Sequence, residues 1–232
     1  MTTNKTLILI LTAILSLTAT SVYAKKQELP DITVDGLHRV PDSKLAIVYA
    51  EPGADLGPYN RVNLMQAYVA FKKNWERDQR RSSAQPLRIS SKDIEKIKDT
   101  LSAEFHEVFK NALVDAGYEL TEEAADDVMI VRPAVINLDV NAPDTMSAGR
   151  STTFTSSAGE MTLYIELYDS VTGDIIAKAL DRRLDRNSGF YTWTNSVTNR
   201  AAADRILKGW AKVLVEALNE ARSYDTDAGK DS

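Results

Sequence analysis

Apolar positions along this chain recur at two spacings, every three or four residues in some stretches and every second residue in others, and the changes of spacing divide it into elements. Ile94, Ile97, Leu101, Phe105, Val108, Phe109, Ala112 and Leu113 follow the helical rule. Ser90 or Ser91 stands where an N-cap belongs, Asp93 three residues after Ser90 suits a capping box, and Gly117 supplies a left-handed stop. A second helix is predicted from Asn195 or Ser196. Its stripe is Val197, Ala201, Ile206, Trp210, Val213, Leu214, Ala217, Leu218 and Ala221. No periodicity continues beyond Tyr224.

The two-residue spacing marks strands. Leu45 to Tyr49 is a short one, ended by Pro52-Gly53, and Arg61 to Phe71 a longer one with Val62, Leu64, Gln66, Tyr68 and Ala70 on one side. From Asp127 to Val140, the residues Val128, Ile130, Ala134, Ile136, Leu138 and Val140 share a face that Arg132 interrupts. Pro133 has no backbone N–H to give a neighbour, which predicts an edge or a bulge there. Met161, Leu163, Ile165 and Leu167 alternate with polar residues. Thr172-Gly173-Asp174 then turns the chain into Ile175 to Arg182, making a hairpin in which Glu166 has Lys178 and Arg182 within reach.

Two helices that are each greasy on one stripe must cover one face of a sheet. The expectation is an α/β (α+β) two-layer sandwich: a mostly antiparallel sheet with two long amphipathic helices on one face. The domain spans 45–223, after an extended arm at 25–44 and before a disordered tail at 224–232.

The first 24 residues carry a different signal. Lys5 precedes an apolar run from Leu7 to Leu17, and Val22-Tyr23-Ala24 places small residues where a signal peptidase reads before cutting. The run is short of the roughly 20 residues a membrane span needs. The mature chain is expected to begin at Lys25 in the periplasm or medium, with no transmembrane span; an uncleaved signal anchor is the alternative. With 28 Lys and Arg against 33 Asp and Glu, the net charge of −5 argues against nucleic-acid binding by bulk charge. The chain has no cysteine, so it has no disulfide and no site for lipoprotein acylation.

Catalytic signatures are sparse. His38 and His106 are the only histidines and read as surface or satisfied side chains, not as zinc ligands. There is no Gly-x-Ser-x-Gly elbow, Ser-x-x-Lys pair or phosphate loop. No catalytic residue, metal or cofactor is assigned. Glu122, Glu123, Asp126 and Asp127 read as a solvated acidic turn, and Asp174, Asp181 and Asp185 as surface ion pairs. Two stretches are candidate contact surfaces: the basic tract Lys72, Lys73, Arg77, Arg80, Arg81 and Arg88 around Trp75, and the aromatic run Phe190, Tyr191 and Trp193. The first is weighed against a plain soluble loop and the second against a plug for the core. The Ser/Thr/Gly-rich stretch 141–159, read as a loop, is a third candidate.

Tyr49-Ala50-Glu51-Pro52-Gly53-Ala54-Asp55-Leu56, the following Pro58-Tyr59-Asn60-Arg61-Val62, Val69-Ala70-Phe71-Lys72-Lys73-Asn74-Trp75 and Asp126-Asp127-Val128-Met129-Ile130-Val131-Arg132 together resemble the DUF3313 family. The resemblance covers roughly Ile32 to Ala221. It implies an uncharacterised bacterial envelope protein, often a lipoprotein, and brings no catalytic residues; the missing cysteine departs from that habit. The functional expectation is an exported, non-enzymatic binding or accessory module that meets an envelope protein or an anionic envelope component. The alternative is a hydrolase using carboxylates such as Asp139, Glu160 or Glu166. Homo-oligomerisation through a strand edge is compatible with either.

Overall fold

A computed structural model describes residues 29–82, 90–140, 153–155, 157–186, 192–194 and 196–228. The strands are β1 (His38–Arg39), β2 (Ile47–Ala50), β3 (Arg61–Leu64), β4 (Tyr68–Phe71), β5 (Glu119–Leu120), β6 (Val128–Val140), β7 (Thr153–Thr155), β8 (Ser157–Asp169), β9 (Ile175–Arg186) and β10 (Thr192–Thr194). The helices are α1 (Trp75–Ser82), α2 (Ser91–Asp115) and α3 (Ser196–Ala228). Eight strands form one sheet in the order β1-β2-β9-β8-β6-β3-β5, with β4 also beside β6. Pairings from β1 through β6 are antiparallel, while β3, β4 and β5 join in parallel, so the sheet of this α+β fold is mixed. β7 and β10 make a separate two-stranded ribbon.

The helix capping box forms as its sequence dictates. Ser90 Oγ accepts from the Asp93 N–H at 3.2 Å, and Asp93 Oδ2 accepts from the Ser90 N–H at 2.9 Å. At the other end Gly117 takes φ +87°, the Tyr118 N–H reaches the Leu113 carbonyl and the Gly117 N–H that of Val114. Between them Leu101, Phe105, Phe109 and Leu113 line the buried face, with the two phenylalanine rings stacked at 3.9 Å.

Two predicted strand faces and one helix face are corrected. The Arg61–Phe71 strand is two strands, and the residues between them reverse the alternation, so that Ala67 and Val69 are buried and Tyr68 is 67% exposed. A one-residue slip of this kind moves every later side chain to the other face. The cause lies in β6. Val131 accepts from the Met65 N–H at 3.0 Å, so alternation turns the nitrogen of Pro133 toward the same neighbour, where it has no hydrogen to give. There β3 stops and β4 restarts, and Ser102 of α2 donates to the carbonyl of Ala67 at 2.8 Å. Pro133 thus sits in the body of the sheet, not at its edge, opposite an interruption where the neighbour carries one extra residue, which is the bulge alternative. In β6 itself Met129, Val131 and Val135 face the helices, not the set containing Ile130, Ala134 and Ile136. Asn137, at φ +52°, lies in a register irregularity that returns Leu138 to the buried side.

The third correction is rotational. On α3, Ala202, Ala203, Leu207 and Ala211 are buried, whereas Ala201 and Ala217 are exposed. The stripe is turned by about one residue, which an alanine-rich pattern barely distinguishes. The helical backbone continues to Ala228. Near the other terminus, Asp31 to Arg39 does not stay extended: Ile32 bridges His38, the Arg39 N–H donates to the Asp31 carbonyl at 2.8 Å, and Leu37 is buried. Residues 1–28, including the leader pattern, lie outside the described residues.

Candidate functional site

The sheet has two unlike faces. On the inner one, β6, β8 and β9 meet α2 and α3, and a single core joins Val131, Val135, Leu163, Ile165, Phe105, Phe109, Leu207 and Trp210. Asp181 lies among them at 8% exposure, which overturns its reading as a surface pair. One of its oxygens accepts from the Trp210 Nε1–H at 2.7 Å and Arg183 Nε at 2.9 Å; the other accepts from the Ala46 N–H at 3.1 Å. The Arg183 guanidinium lies 5.8 Å from the centre of the Trp210 ring. It also passes over Gly209, where an added Cβ would meet Nη1 at 2.4 Å. A buried carboxylate is tolerated because its lone pairs are occupied and a cation is adjacent.

The outer face, away from α2 and α3, is built in rows by strand register. Arg132, Glu166, Lys178 and Tyr49 are successive partners across β6, β8, β9 and β2. The next row is Ala134, Tyr164, Leu180 and Ile47, and the one after it Ile136, Thr162 and Arg182. Beyond the irregularity Asp139 stands opposite Glu160. Rows on one face are about 7 Å apart, so charged rows flank an apolar and aromatic one.

Each carboxylate on this face is engaged. Tyr164 donates to Glu166 at 2.6 Å and Arg132 approaches it at 3.5 Å. Asp139 pairs with Lys72, and Glu160 with Arg182. Lys178, directly across from Glu166 as its place in the hairpin predicts, instead pairs with Asp35 of the segment that precedes β1. Burial, and then the bond to Glu166, push the Tyr164 hydroxyl far above its usual range, and Tyr168 is raised for the same two reasons. Both phenols therefore remain protonated. The exposed groups here are Arg132 and Arg182, at 62% and 60%.

The basic tract begins at the end of β6. Trp75 is 2% exposed, so its indole is not part of a surface. It stacks on Phe71 at 4.1 Å, and its Nε1–H donates to the Val140 carbonyl at 3.3 Å. Gln79, one turn on, donates to the same oxygen at 3.2 Å. The stretch from Trp75 to Ser82 is a helix and not a loop. With Trp75 and Gln79 turned inward, Arg77 and Arg81 are exposed, as is Lys73 just before the helix, while Lys72 is taken by Asp139. Arg77 approaches the neighbouring Asp78 at 3.5 Å. Arg80 belongs to α1 by its backbone; its side chain, and Arg88, lie outside the described residues.

The other candidate stretches fare unevenly. Phe190 and Tyr191 lie outside the described residues, as do 141–152. The backbone of Trp193 is placed in β10, directly opposite Phe154 of β7, so the structure joins two stretches that the sequence kept apart. His106 is not a satisfied histidine: its buried Nδ1 finds no hydrogen-bond partner among the described residues. Glu122, Glu123 and Asp126 are exposed, while Asp127 receives both Nε and Nη2 of Arg61, at 2.9 and 2.5 Å. No three histidine, aspartate or glutamate side chains converge as metal ligands among the described residues. Nor, among them, is any helix long and apolar enough to cross a membrane. Sequence reading missed Asp181, Arg183 and Gly209; a Gly one residue before a stripe tryptophan was the available signal.

Fold and faces define an α+β sandwich with one helix-covered and one solvent-facing sheet surface. Residues 32–214 match the family model described as a protein of unknown function, DUF3313, and the chain belongs to that family. No curated protein matches it. Among solved structures, a Xanthomonas campestris protein of the family DUF330 is similar at 14% identity and a TM-score of 0.42, over 75% of this chain and 92% of that one. A minor lipoprotein from Acinetobacter baumannii is similar at 10% identity and 0.33, over 68% and 94%. The PelC dodecamer from Paraburkholderia phytofirmans is similar at 12% identity and 0.32, over 69% and 96%. Likenesses at this level carry no functional argument.

Proposed function

We propose that the protein is an exported, non-enzymatic binding or accessory module of the bacterial cell envelope, free of a lipid anchor. The leader pattern supports the compartment, and the absence of cysteine the lack of a lipid anchor. One observation supports binding over catalysis. The carboxylates an acid–base enzyme would draw on, Asp139, Glu160 and Glu166, each hold a cation or a tyrosine hydroxyl. What remains on the outside is a surface of exposed arginines and half-buried rings, suited to contact with an envelope protein or an anionic component.

The test has two parts. Cell fractionation with N-terminal sequencing is expected to find the protein in the periplasm or medium, starting at Lys25; Met1 retained in the cytosol would end the envelope reading. Crosslinking in whole cells, with and without Lys72, Lys73, Arg77, Arg80 and Arg81 changed to Ser, is expected to change the partner profile. Identical profiles would remove the basic tract from the reading. A hydrolase remains the second reading because Asp139 and Glu160 stand directly opposite each other in register. Two well-separated proton-release steps from that pair, seen by carboxyl NMR, would favour it.

A further inference from the structure

We infer that Arg77 and Arg81 on the outward side of α1, together with Lys73 just before it, form an electrostatic docking site for anionic phospholipid headgroups. The inference rests on the envelope reading and names the ligand class for one of its surfaces.

The helix has a fixed orientation. Trp75 and Gln79 are four residues apart, hence on one side, and both donate to the Val140 carbonyl. Arg77 and Arg81 are each two residues further on, about 200° around the helix, so they face away from the sheet. Arg77 and Arg81, one turn apart, stand about 6 Å from each other, and exposed Lys73 lies two residues before the helix, ahead of Asn74 at φ +66°. Lys73 and Arg81 meet no acidic side chain among the described residues, and Arg77 has only its sequence neighbour Asp78, at 3.5 Å. Several cations elsewhere are taken up in pairs, Arg61 by Asp127, Lys72 by Asp139, Lys178 by Asp35, Arg182 by Glu160, and Lys44 by Glu216 and Glu220, while Lys92, Lys96 and Lys110 are exposed along α2.

The full chain carries a formal net charge of −5, and −6 once the leader with Lys5 is removed, so an anionic bilayer repels it except where a local positive group leads the approach. The stripe is that group, and it sets which side meets the membrane. Lipid fits it better than a protein partner does. The centre of a protein interface needs a buried aromatic or aliphatic anchor, and here the one ring, Trp75, is turned inward and 98% covered. A row of cations with no apolar anchor matches a plane of mobile phosphates, which arginine binds through its fork. Docking is therefore adsorption without insertion, reversed by salt.

The experiment uses the processed protein recovered from cells and vesicles of phosphatidylcholine with or without phosphatidylglycerol. Binding is expected only with phosphatidylglycerol, weakening steeply as salt rises, with the tryptophan emission of the protein unchanged. Each Lys or Arg contributes about a fivefold gain near such a surface, so Lys73→Gln/Arg77→Gln/Arg81→Gln should bind about 100-fold more weakly. A charge-matched control, Lys92→Gln/Lys96→Gln/Lys110→Gln on the exposed side of α2, should bind almost as the parent does. Far-ultraviolet circular dichroism confirms that both triples are folded, and single Arg77→Gln and Arg81→Gln variants, each about fivefold weaker, stand in if the triple is not. Equal losses in the two triples, or equal binding to pure phosphatidylcholine, overturn the proposal. So does a protein that ignores vesicles while the stripe variant loses a crosslinked envelope protein, since the ligand is then an acidic protein surface. Fractionation separately decides the compartment, so failure there is distinct from failure here.

Discussion

The two faces of the sheet handle charge in opposite ways. On the inner face a single carboxylate, Asp181, is enclosed by Trp210, Arg183 and the Ala46 N–H, and its neighbours are apolar. On the outer face charge is spread in rows, Arg132–Glu166–Lys178 and Asp139–Glu160, with each group paired yet keeping part of its surface in water. Desolvation explains the contrast. An ion removed from water must have its hydrogen bonds replaced in full, while a half-exposed one keeps much of its hydration. Inner-face charge therefore locks the fold, and outer-face charge is free to change with little cost to it.

That contrast breaks first at Asp181. Asp181→Ala strands the Trp210 N–H and leaves Arg183 without its carboxylate, and should lower the free energy of unfolding by about 3 kcal/mol. Glu166→Gln on the outer face should cost less than about 1 kcal/mol. Urea unfolding of the two variants measures the difference, and equal losses would erase the distinction between the faces.

Gly209 sharpens it. A helical Gly→Ala change ordinarily stabilises by about 1 kcal/mol, but here the new Cβ displaces Arg183. Gly209→Ala alone should give no gain in melting temperature. In an Arg183→Ala background the same change should recover the ordinary gain of about 1 kcal/mol, and a double-mutant cycle reads the coupling. Additive effects would mean that Arg183 does not press on the helix.

The smallest effect concerns pH. Tyr59 donates to Asp169 at 2.9 Å, and burial first, then that bond, raise its hydroxyl from 10.0 to about 12. A raised value favours the protonated form in the fold. Its contribution is complete below pH 10 and is lost as pH climbs toward 12. Tyr59→Phe should flatten part of the alkaline decline in stability between those values, measured by thermal melts in that window; Tyr164, raised in the same direction, accounts for part of what remains.

Much of the architecture was legible, and residues explain where legibility ended. The β8–β9 hairpin was readable because Met161, Leu163, Ile165 and Leu167 alternate with polar residues, so only one face can be buried. In β6 both parities are apolar, and period two alone does not choose between them. Arg132 in the even set was the one residue that marked the outer face. For the candidate contact surface, the cations of α1 were visible as a tract, yet the inward turn of Trp75 was not, because its partner is a backbone carbonyl 65 residues away.

The chain by itself determined α2 with its Ser90–Asp93 cap and Gly117 stop, the hairpin, the α+β class and the family, since each depends on neighbours in sequence. Only the tertiary structure decided which side of β6 meets the helices, where Pro133 interrupts its neighbour, why Asp181 is buried and which side of α1 faces out. Those depend on which distant surface occupies a given space and which backbone groups it leaves to be satisfied, and local spacing carries no record of either.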